Sequence, residues 1–133
     1  MILPCRHISV SIDAKPSDVY DFASNPANLP QWATGLSKSE MKKVGEDWIA
    51  ESPMGKVKVK FAPVNSFGIL DHDVTLPDGN TVHNPLRVLK NGTGSEVIFT
   101  LYHQLGVGQQ YYEADAKIVH KDLQTLKEIF NRP

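Results

Sequence analysis

The chain has 133 residues and a formal net charge of −1 at neutral pH, with 41% hydrophobic and 22% charged residues. These values suit a single domain spanning residues 1–133 with one core, and so small a charge gives no electrostatic reason to expect nucleic acid or an anionic membrane as partner. The apolar runs are too short for a membrane span, and Met1 to Arg6 lacks the basic and apolar regions of a signal peptide; with Cys5 the single cysteine, a reducing, cytoplasmic setting is expected.

His7 to Ile12 alternates, with Ile8, Val10 and Ile12 on one face, which predicts a half-buried strand. Pro16 suits the first position of a helix, Asp18 favours its positive end, and Val19, Phe22 and Ala23 form its apolar stripe. Asn25-Pro26 ends it, and the prolines before Trp32 leave room for only a turn or two of further helix. From Ser39 the pattern changes to strands: Glu40 to Val44, Trp48 to Ser52 and Lys56 to Phe61, with turns at Gly45-Glu46-Asp47 and Pro53-Met54-Gly55. In the third of these, three lysines alternate with Val57, Val59 and Phe61, the mark of an antiparallel sheet wet on one side. Ile69 to Leu76, Thr81 to Lys90 and Thr93 to Gln104 follow, joined by hairpin signals at Pro77-Asp78-Gly79-Asn80 and Asn91-Gly92.

Gln109 to Phe130 closes the chain. Its apolar residues Tyr112, Ala116, Val119, Leu123, Leu126 and Phe130 recur at helical spacing, and Ile118 and Ile129 widen the stripe. A dry face this long needs a broad apolar partner, and the strands supply it. The expected class is α+β: a curved seven-stranded antiparallel sheet around a long C-terminal helix, with two short helices after the first strand.

Hairpin pairing sets the faces. Ala50 opposite Val57 and Trp48 opposite Val59 turn Trp48 inward. A three-residue loop, Asp78-Gly79-Asn80, pairs Leu76 with Val82 and Val74 with Asn84, so Asn84 points inward, diagonal to His72. A two-residue loop at Asn91-Gly92 pairs Val88 with Ser95 and puts Val97, Phe99, Leu101 and His103 inside; a one-residue slip would expose His103 and bury Tyr102. The inner face is then apolar except for His72, Asn84 and His103, while Asp115 and Asp122 flank the helix stripe. Isolated polar groups in an apolar surround describe a ligand pocket. Each also has a structural explanation: a satisfied core histidine, a buried amide pinning backbone, an edge carboxylate (Asp122) pairing with a strand Lys or Arg, a first-turn charge (Asp115) on the helix dipole, or, for Trp32 and Trp48, core packing.

Other chemistries lack their residues. No glycine-rich phosphate loop precedes a helix, no serine sits in a nucleophile elbow, and the five histidines show no metal-ligand spacing. No cofactor or metal is expected. The lysine row Lys56, Lys58 and Lys60 lacks the interleaved aromatics of a single-strand nucleic-acid site.

The opening IDAKPSDVYDFASNPANLPQW, the middle FGILDHDVTLPDG and NPLRVLKNGTGSEVIFTL, and the closing DAKIVHKDLQTLKEIF resemble the START-related superfamily. This superfamily is also called helix-grip, Bet v 1-like or SRPBCC, and the likeness is to its polyketide cyclase/dehydrase-like branch. The resemblance implies a sheet wrapped around the C-terminal helix with a cavity between, and binding or conversion of hydrophobic small molecules, lipids among them. It transfers no catalytic set. The expected ligand contacts are Trp32, Trp48, Val59, His72, Asn84, Phe99, His103, Tyr112, Asp115 and Val119. The first functional expectation is binding of a hydrophobic molecule with a polar end. The second is a cyclase, aromatase or dehydratase in which His72 or His103 moves a proton, oriented by Asp115 or Asp122. A third is a protein-interaction module with a collapsed cavity. The oligomeric state is open, a homodimer included.

Overall fold

The computed structural model describes residues 1–34, 40–52 and 55–131. The chain runs β1 (Cys5–Ile12), α1 (Pro16–Ala23), a 3-10 turn (Pro26–Asn28), α2 (Leu29–Trp32), β2 (Met41–Val44), β3 (Asp47–Ser52), β4 (Gly55–Phe61), β5 (His72–Thr75), β6 (Thr81–Asn84), β7 (Leu86–Asn91), β8 (Gly94–Tyr102) and α3 (Gln109–Asn131). Every strand pair is antiparallel, and the α+β class with its long C-terminal helix stands. Ser39 and the Pro53-Met54 part of the expected turn lie outside the described residues.

The sheet differs from expectation. Among the described residues there are eight strands in two sheets, ordered β1-β8-β7 and β2-β3-β4-β5-β6, rather than one seven-stranded sheet. The cause is Pro85, which splits the expected strand Thr81–Lys90 because it has no N–H for the ladder. Beyond the break, pairing resumes only as an isolated bridge, Ile69 to Arg87, with Leu70 N donating to Leu86 O at 2.8 Å and Val88 N to Gly68 O at 2.9 Å. Asp71 fills the gap. Its carboxylate accepts from Leu86 N at 3.0 Å and from Arg87 Nε and Nη2 at 2.8 and 2.7 Å. The Arg87 hydrogen bonds hold its pKa below the usual carboxylate range.

A stability change follows. Asp71→Ala leaves Leu86 N–H without its acceptor and should cost on the order of 1–3 kcal/mol near pH 7. Because the folded-state pKa is the lower one, the carboxylate's contribution is complete above its unfolded value of about 4 and is lost as pH falls through the folded value. Urea melts should therefore show the gap between wild type and variant narrowing below about pH 4.

Two hairpin registers are corrected. In β5–β6, Val74 pairs with Val82 and His72 with Asn84, because Gly79, at φ +91°, closes a loop of residues 77–79. In β7–β8, Val88 pairs with Val97 and Asn91 with Gly94, so Gly92, at φ +60°, takes the first loop position and Asn91 stays in the strand. Both shifts are by two residues, which preserves every face. Ala50–Val57 and Trp48–Val59 pair as expected.

Val57 and Val59 are buried, Phe61 is half-buried, and Lys56, Lys58 and Lys60 are exposed. On α3, Tyr112, Ala116, Leu123 and Leu126 are buried, while Ile118 faces outward and does not widen the stripe. The α3 backbone lies closest to β1 and also approaches β8 and α2. Phe130 packs edge-on to Phe22 of α1, with ring centroids 5.7 Å apart.

Candidate functional site

The core divides into two clusters. A large one holds Leu123 and Leu126 with Trp32, Val57, Val59, Leu70 and Leu86, and a small one holds Leu101, Tyr112 and Ala116. Val119 on the α3 stripe packs against the large cluster and is half-buried, although its stripe neighbours Ala116 and Leu123 are buried. The inward residues of the facing sheet repeat this pattern: Trp48, Phe61, His72, Val74, Val82 and Asn84 are half-buried, as is Phe99 on β8. Phe61, Val74, Phe99 and Val119 all pack against the large cluster, so these inward side chains form its partly exposed margin. At the β5–β6 tip a cleft of about 410 Å³ opens between Leu3, Leu76, Val82, Leu105 and Val107.

His72 is the polar residue best placed in this wall. Its ring lies 4.9 Å from the Phe61 ring and 6.2 Å from that of Phe99. Nδ1 lies 3.0 Å from Leu70 O, and burial pushes the imidazole pKa below its usual value, so the ring is neutral near pH 7. Asn84 stands directly across the ladder on the same face.

His103 and Tyr112 serve a different purpose. Their rings stack 4.4 Å apart at 6°, His103 Nε2 donates to Val107 O at 2.6 Å, and Tyr112 Oη donates to Leu101 O at 3.0 Å. Arg6 lies over the Tyr112 ring at 4.7 Å and pairs with Glu113. These contacts dock the start of α3 on β8 and β1. Asp115 sits exposed beside the stripe, its carboxyl pushed up by partial burial. Asp122 accepts from Thr34 N at 3.0 Å and from the Thr34 hydroxyl, tying the exit of α2 to α3 rather than meeting a strand Lys or Arg. Burial outweighs those bonds and raises its pKa. Trp32 is buried, and its Nε1–H has no hydrogen-bond partner among the described residues.

No inward histidine has a carboxylate partner among the described residues. The close His–Asp pair, His83 Nδ1 to Asp73 Oδ1 at 2.6 Å, lies on the outer face of β5–β6. No group of three or more His, Cys, Asp or Glu among the described residues could hold a metal ion, and Cys5 is exposed.

Sequence reasoning passed over the 62–68 connection. There Asn65 Nδ2 donates to Pro63 O and Ile69 O, its Oδ1 accepts from Phe67 N and Ile69 N, and its own N–H donates to Tyr20 Oη. This loop, α1 and β7 border a second cleft of about 550 Å³, away from all the expected site residues. Asn65 three places before Gly68, after a proline, was the available signal.

An antiparallel framework with a long C-terminal helix is the class this fold defines, and solved structures share it. XoxI from Bacillus cereus superposes with a TM-score of 0.75 at 15% identity, covering 97% of this chain and 96% of that one. The Aha1 dimer from Colwellia psychrerythraea gives 0.74 at 14%, covering 98% and 96%. DynU16, from the dynemicin biosynthetic locus, gives 0.73 at 11%, covering 96% of this chain and 47% of that one. No family model matches the chain, and no curated protein matches it. At these identities the likeness establishes the fold. No helix is long and apolar enough to cross a membrane among the described residues.

Proposed function

We propose that the protein is a helix-grip, START-related binding module that holds a small hydrophobic molecule with a polar end between the five-stranded sheet and α3. The observation that carries this is the row of inward side chains that stay half-buried at the margin of the large core cluster, Val119 on α3 with Phe61, Val74 and Phe99 on the strands; on this proposal that margin is where a ligand would enter. The cleft at the β5–β6 tip shares Val82 with this inner face, and His72 and Asn84, paired across β5 and β6, are the proposed polar contacts of an otherwise apolar wall. Binding is favoured over cyclase or dehydratase chemistry because Nδ1 of His72 is engaged by a backbone carbonyl, without the orienting carboxylate a proton shuttle would use.

Native mass spectrometry of freshly purified protein should show an added mass that organic extraction removes. Val74→Trp, which adds bulk on the half-buried inner face of β5, should reduce uptake of the fluorescent probe 1-anilinonaphthalene-8-sulfonate at least tenfold with little change in melting temperature. Undiminished uptake by a folded Val74→Trp variant would place the binding surface elsewhere.

A further inference from the structure

We infer that the polar end recognised at His72 is a hydroxyl, so that the ligand class is a phenol or alcohol on an apolar body; this rests on the cavity reading above. The argument begins with the broken ladder. Leu70 N donates to Leu86 O at 2.8 Å, and an intact antiparallel pair would return a bond from Leu86 N to Leu70 O. Leu86 N instead donates to Asp71 Oδ1 at 3.0 Å, and Arg87 holds that carboxylate in place. The carbonyl of Leu70 is thereby left to His72 Nδ1, at 3.0 Å.

A carbonyl oxygen only accepts, so Nδ1 must carry the proton. The ring is neutral, as its burial beside Phe61 and Phe99 requires, and Nε2 therefore presents a lone pair. Nε2 has no hydrogen-bond partner among the described residues and is not sealed from solvent. A ligand carboxylate, ketone or ether offers Nε2 only another acceptor. A hydroxyl donates to it, and its own lone pairs can accept from the Asn84 amide across the ladder, where side chains of paired residues start about 5 Å apart. Of the common polar ends, the hydroxyl satisfies both residues with a single atom. Asp71 and Pro85 act as positioning residues, because they release the carbonyl that fixes the tautomer.

Three matched probes test this: 1-naphthol, 1-methoxynaphthalene and naphthalene, titrated calorimetrically into wild-type protein and His72→Phe. The expected result is about tenfold tighter binding of 1-naphthol than of its methyl ether in wild type, the scale of one net hydrogen bond. In His72→Phe the ratio of naphthol to ether affinity should fall to about one, whatever the change in the absolute affinity of either. Equal affinities for naphthol and ether in wild type, with both binding, would overturn the hydroxyl inference and leave the cavity reading standing. Failure of all three to bind would sink both. Should His72→Phe not fold, long-range nitrogen–proton NMR on wild type decides: Nδ1 must be protonated and Nε2 bare, with the Nε2 resonance moving on addition of 1-naphthol. A bare Nδ1 would overturn the inference.

Discussion

Gly68→Ala should cost about 3 kcal/mol or more, a large fraction of the roughly 5–15 kcal/mol that holds an ordinary domain folded. Gly68 has φ +72°, and a Cβ built there would lie 2.2 Å from Val88 O, well inside contact distance and against backbone rather than a movable side chain. The left-handed conformation alone costs an alanine about 1–2 kcal/mol. The clash adds to that by forcing apart the pair in which Val88 N donates to Gly68 O at 2.9 Å, one of the few backbone links between the β5 side of the molecule and β7. Gly45 is the control: its φ is +65°, but a Cβ there meets nothing within 4 Å. Gly45→Ala should cost only the conformational part, about 1 kcal/mol. Urea denaturation of the two variants measures the difference, and comparable losses would mean that the approach of Gly68 to Val88 is not a tight one.

Much of this architecture was legible because its signals are periodic. The four-and-three spacing from Tyr112 to Leu126 gives the same answer wherever the helix is taken to start, and α3 buries Tyr112, Ala116, Leu123 and Leu126. Strand faces survived two mistaken hairpin loops because each slip was by two residues, so His72 and Asn84 kept their shared face. What periodicity cannot carry is the loss of a single donor. The run from Thr81 to Lys90 alternates well enough to look like one strand, and only the ladder's demand for an N–H at Pro85 divides it. The partners of polar side chains were hidden for a similar reason. Asp71 meets Arg87 and Leu86 across a break that had not been foreseen, and Asp122 meets Thr34 from a turn with no strong pattern. The inward direction expected for His103 followed from alternation, but its stacking on Tyr112 and its bond to Val107 depend on how the connection between β8 and α3 folds back.

Truncating two residues of one helix stripe should give very different losses. Leu126 is fully buried, at 0% exposure, in the large core cluster. Leu126→Ala removes that side chain from a packed interior and leaves a cavity that the surrounding sheet and helices can only partly refill, at a cost of about 2–5 kcal/mol. Val119, two turns earlier on the same stripe, is half-buried at the margin of that cluster. Val119→Ala gives up little contact and creates no sealed void, so its cost should stay below about 1 kcal/mol. The same substitution should change the affinity for an apolar probe such as naphthalene, whereas Leu126→Ala should act mainly through stability. If the two alanine variants melt at similar urea concentrations, the middle of the stripe is as tightly packed as its end, and there is no room between α3 and the five-stranded sheet for a ligand.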